Sequence, residues 1–126
     1  FMIEPERAVD CVEYALQTTG ASIVHALKAM RISDLFEIYK ERFGLEYTIG
    51  EPRISEKLHE QMIAPAEADR VTYDSKNNMY SIHYKNISGA VTLPPAGYSS
   101  ELFTMTKAEL DALLAEYDYF KGSMFM

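Results

Sequence analysis

Tryptophan is absent from this 126-residue chain, and cysteine occurs once, at Cys11. A single thiol excludes any disulfide within the chain and fits a reducing compartment. Basic residues are in the minority: twelve lysines and arginines stand against nineteen acids, for a net charge of −7. That balance argues against a nucleic-acid partner, which needs a basic face. No apolar run approaches the roughly 20 residues that span a bilayer. No charged stretch followed by an apolar one opens the chain, so a cytoplasmic location is expected and a membrane is not. The six glycines are scattered singly, which leaves no glycine-rich cradle for a dinucleotide. His25, His59 and His83 fall in separate segments, and "HEQMI" lacks the second histidine of a zinc helix. Neither a metal nor a cofactor is expected in this chain.

What is present is ordinary for a globular chain: 48% hydrophobic and 25% charged residues, enough for one domain over residues 1–126 with a real core. The opening "FMIEPERAVDCVEYALQ" enters apolar residues and then a helix at once, as a chain entered midway would. Val9, Val12 and Leu16 at i, i+3 and i+7 predict an amphipathic helix over 6–17, with Pro5 in its first turn and Gly20 past its exit. "ASIVHAL" is a short strand. Ser33 is placed to cap a second helix to Phe43, with Gly44 following it. "LEYTI" alternates as a half-buried strand does, and Ser55 is placed to cap a third helix to about Ile63, ended by Pro65. "RVTYDSKNNMYSIHY" reads as a hairpin, then comes a loop with Gly89, Pro94, Pro95 and Gly97. Thr106 and Glu109 have capping-box spacing before the last helix, "ELDALLAEYDYF". The fold class is therefore α/β: a small mixed α/β domain with short strands, a β-hairpin and about four helices, lacking a Rossmann domain.

One stretch concentrates chemistry. "PRISEKLHEQM" carries Arg53, Glu56, Lys57, His59 and Glu60 within eight positions. A guanidinium such as that of Arg53 can make paired, charge-assisted bonds to a diphosphate, and the Glu56 carboxylate can accept from ribose hydroxyls. At the start of a helix, Glu56 would also simply be a favourable first-turn acid, as would Asp34 just after Ser33. Cys11, one position from Val12, is read as a small packing residue.

These segments carry a resemblance. "RISEKLHEQMI" resembles the Arg-x-x-Glu-Lys-Leu-His/Tyr-Glu segment of the NAD(P)-dependent UDP-sugar 4,6-dehydratases and epimerases of polysaccharide biosynthesis, within the extended short-chain dehydrogenase superfamily. "FMIEPERAVDCVEYAL" looks like their Phe-Met-led helix. "GASIVHALKAMRISDL" looks like their strand followed by Met-Arg/Lys-Ile-x-Asp-Leu, and "YSSELFTMTKAELDALL" like the tail of the capsule-type members. The four segments come in the family's order across nearly the whole chain. Tyr117 and Lys121 also show the superfamily's Tyr-x-x-x-Lys spacing, but no glycine-rich turn precedes them. That pair is read as a helix end, with Tyr117 and Phe120 packing inward.

The resemblance implies that residues 1–126 correspond to the C-terminal substrate-binding portion, which closes over a UDP-sugar. NAD(P) and the catalytic groups would belong to a separate Rossmann portion, so no catalytic residue is expected here. Arg53 and Glu56 match the family's nucleotide-binding arginine and glutamate, and Arg31 matches its basic residue between Met and Ile. The chain departs from the pattern at Ala26 (a lysine), Ser55 (a glycine) and Ile3 (a threonine or serine). Lysine loss at position 26 removes positive charge from a diphosphate site. Two readings follow: a UDP-sugar-binding domain, or a stand-alone remnant serving as an oligomerisation or protein-interaction module. Nine tyrosines, six phenylalanines and seven methionines favour self-association if they stay exposed, so a homo-oligomer or a separate Rossmann partner is expected.

Overall fold

A computed structural model describes residues 1–94 and 97–117. These residues form a mixed α/β architecture: helices α1 (Pro5–Leu16), α2 (Ile32–Phe43) and α3 (Lys107–Glu116), a 3-10 turn at Pro65–Arg70, and short antiparallel strands in two sheets. The strands are β1 (Ala21–His25), β2 (Gln61–Ile63), β3 (Val71–Asp74), β4 (Met79–His83) and β5 (Tyr98–Ser99). With the 3-10 turn counted, four helical segments are present among the described residues. No described helix is long and apolar enough to cross a membrane. The chain divides into two compact units, Phe1–Lys28 with His59–Phe103, and Ala29–Leu58 with Thr104–Met126.

In the first unit the sheet order is β1-β4-β3, antiparallel throughout. Val24 pairs with Tyr80, and Ile82 with Val71. Alternation thus sends Val24, Tyr80, Ile82 and Val71 toward one core, shared with Ile63, Tyr98, Phe103 and Phe1. The hairpin forms where the sequence places it. The Asp74 carboxylate accepts from the Lys76 and Asn77 backbone N–H groups at 3.0 and 3.1 Å, and Asn78 takes φ 58°, which asparagine tolerates. Bonds from Asn77, side chain first and then backbone, hold the Asp74 carboxyl below its ordinary pKa.

Helix α1 forms as expected, but its apolar stripe does not face the sheet. Val9, Val12 and Leu16 are 56, 60 and 82% exposed. The half-buried positions are instead Ala8, Cys11 and Tyr14. Two small side chains let the helix approach β1 closely, and the Tyr14 hydroxyl donates to Asp74 Oδ2 at 3.1 Å, fixing which side faces inward.

In the second unit, α2 and α3 bury Ile38, Leu110 and Leu114. Arg42 pairs with Asp111 and Lys107 with Glu41 across the same two helices. Gly44 ends α2 in the left-handed conformation at φ 66°, donating to the Lys40 carbonyl. Thr106 and Glu109 cap α3 reciprocally, as their spacing predicts: Glu109 N–H donates to Thr106 Oγ1 at 3.1 Å, and Thr106 N–H to Glu109 Oε1 at 3.3 Å. The end of the predicted last helix, with Phe120 and Lys121, lies outside the described residues, as does Pro95; Tyr117 is half-buried at the α3 C-cap.

Three local expectations are corrected. Ser33 does not cap α2; the N-cap is Arg31, without a side-chain capping bond. "LEYTI" is not a strand. It is held instead by Tyr47, stacked on Phe36 at 5.2 Å and bonded to Glu37, and by the Glu46 carboxylate 3.8 Å from Lys40 Nζ, while Ile49 is exposed, because the segment finds no ladder to join. The helix at 55–63 does not form either. Ser55 has φ 72°, incompatible with an N-cap, and residues 61–63 pair instead as β2 with β5.

Candidate functional site

Residues 53–56 build a tight turn in the second unit. Glu56 N–H donates to the Arg53 carbonyl at 3.1 Å, closing a four-residue turn whose third member, Ser55, has positive φ. Positive φ at that position alone is the type II pattern, which favours glycine there. A second bond closes the turn from the other side: Arg53 N–H donates to Glu56 Oε2 at 3.0 Å. Glu56 is therefore a turn residue rather than the first-turn helix acid its spacing suggests.

The turn stands in solvent. Every residue from 48 to 62 is exposed, and Ile54 is 98% exposed. The Arg53 guanidinium makes no hydrogen bond or ion pair among the described residues. Its five donors form a rigid fork of the geometry that can pair with a carboxylate or phosphate. Arg31 is exposed at the α2 N-cap, where its carbonyl accepts from the Asp34 and Leu35 N–H groups. Structure brings Arg53 and Glu56 together; Arg31 takes no part in the hydrogen bonding of their turn. Lys57, His59 and Glu60 are exposed too, on an irregular chain rather than a helix face.

A scan against protein-family models and a search of curated proteins give no match to this chain.

In the first unit, two segments far apart in the chain meet. Glu60 N–H donates to Ser100 Oγ at 2.9 Å, and Ser100 N–H returns a bond to the Glu60 carbonyl at 2.8 Å. The "HEQMI" and "YSS" segments are thus stitched together just beyond the β2–β5 ladder. Tyr98 anchors this edge. It is 2% exposed, its hydroxyl donates to the Leu27 carbonyl, and its ring lies 4.6 to 5.3 Å from those of Phe103, Tyr80 and Phe1. Burial, with Tyr80 nearby, pushes its hydroxyl pKa up to about 12. Sequence reading missed this pairing because strands of two and three residues carry no periodicity. The histidines stay apart in role: His25 is buried in β1, His59 is exposed, and His83 Nε2 lies 2.9 Å from Thr72 Oγ1.

Proposed function

We propose that this chain is a nucleotide-sugar-binding domain, of the UDP-sugar class used in polysaccharide biosynthesis, and that it is not catalytic alone. One observation carries the reading: Arg53 is presented on a twice-closed turn, its guanidinium unpaired, with left-handed backbone where the resembled family has glycine. A diphosphate is the natural complement of an unpaired fork of that kind. Arg31, also exposed, adds a second cation in the same unit, and Glu56 holds the turn beside the arginine. Any NAD(P) chemistry belongs to a separate Rossmann portion.

Calorimetric titration of UDP and UDP-N-acetylglucosamine tests this directly. Arg53→Ala is expected to weaken binding by about 10- to 100-fold, the range for losing charge-assisted hydrogen bonds. Heat that is the same in wild type and variant, or no heat in wild type at millimolar ligand, would overturn the reading.

A second reading, an oligomerisation or protein-interaction module, is favoured by the bare Val9–Val12–Leu16 stripe of α1. A stripe written at helical spacing and left in water is the kind of surface that a partner or a second copy covers. Sedimentation velocity over a hundredfold range of protein concentration should then show association that Leu16→Glu abolishes. A monomer throughout would sink the homo-oligomer.

A further inference from the structure

We infer that Glu56 is a positioning residue for Arg53: its carboxylate fixes the turn that presents the guanidinium, rather than meeting the ligand itself. This rests on the anion-binding reading above. Two bonds close the turn, and Glu56 supplies a partner to each, Oε2 to Arg53 N–H and its own N–H to the Arg53 carbonyl. Packing contributes little, because the Ile54 side chain at the turn's apex is bare. Ser55 pulls the other way, since a residue with a Cβ is strained at φ 72°. That strain is comparable with the net worth of one hydrogen bond, so removing the carboxylate releases the turn and lets Arg53 wander. The charge sign makes the role separable from a ligand contact. A carboxylate beside a phosphate repels it, so its removal, by electrostatics alone, would tighten an anion.

The experiment titrates inorganic pyrophosphate and UDP separately into the full chain as wild type, Arg53→Ala, Glu56→Ala and Glu56→Gln. Amide exchange at Arg53 is followed by NMR. Glu56→Ala should weaken both ligands by about three- to tenfold, against the electrostatic trend, and speed exchange of the Arg53 amide. Glu56→Gln keeps a side-chain oxygen to accept from Arg53 N–H, so pyrophosphate affinity should stay within about twofold of wild type or improve. If Glu56→Ala weakens UDP but leaves pyrophosphate unchanged or tighter, Glu56 is a ribose contact and the inference fails. Unchanged Arg53 exchange in Glu56→Ala overturns it as well. Should neither ligand depend on Arg53, the anion-binding reading fails and takes this inference with it.

Discussion

Gly97→Ala should destabilise the first unit by about 2–5 kcal/mol, the sum of a left-handed backbone penalty and an overpacking cost. Gly97 has φ 74°, and a Cβ there would lie 2.2 Å from the Ile63 carbonyl oxygen, 3.0 Å from Pro65 N and 3.1 Å from the Ala64 carbonyl carbon. All three are backbone atoms, so no side-chain rotation relieves the clash. The glycine immediately precedes Tyr98, and its displacement would pull β5 away from β2 and carry the Tyr98 ring out of the core. Urea denaturation measures the loss, and Gly89→Ala separates its two parts. Gly89 has φ 78° but nothing within 4 Å of its added Cβ. That variant should cost only about 1–2 kcal/mol. Equal losses in the two variants would show that the close approach at Gly97 contributes nothing.

Alkaline pH should weaken the same unit through Tyr98. Its hydroxyl is raised from 10.0 to about 12 in the folded chain. The unfolded chain therefore releases this proton first. The stabilisation is present in full below about pH 10 and is lost as pH rises through about 12, amounting to roughly 3 kcal/mol by linkage. Tyr98→Phe removes the titrating group together with the bond to the Leu27 carbonyl. At pH 7 the variant should be less stable by about 1 kcal/mol, the usual worth of such a bond. Above pH 11 the gap should close or reverse, because only the wild type carries the penalty of ionising a buried ring. Urea midpoints of the two proteins from pH 7 to 11.5 check this. Parallel curves would mean that the Tyr98 hydroxyl meets solvent in the folded state.

Much of the fold was legible because its signals are local. The Thr106–Glu109 box works within four residues, so spacing alone placed the start of α3. Gly44 ends α2 for a backbone reason that needs no neighbour. Asp74 to Asn78 form their turn from their own side chains, which is why the hairpin falls where composition puts it. Arg53 and Glu56 were also legible as near neighbours in one charge-rich stretch. Their mutual geometry was not, because three-residue spacing suits a helix and a doubly closed turn equally well.

Sequence by itself thus determined the mixed α/β class, the positions of three α-helices and the hairpin. Tertiary structure decided which face of α1 turns inward, since Tyr14 finds Asp74 sixty residues away and the Val9–Val12–Leu16 pattern carries no record of that partner. It likewise decided that residues 61–63 form a strand. Their periodicity permits a helix, but Gln61 and Ile63 pair with Ser99 and Tyr98, and the Glu60 backbone bonds both the hydroxyl and the N–H of Ser100. Local propensity sets what a segment can do, and the long-range partner, which lies elsewhere in the chain, sets what it does.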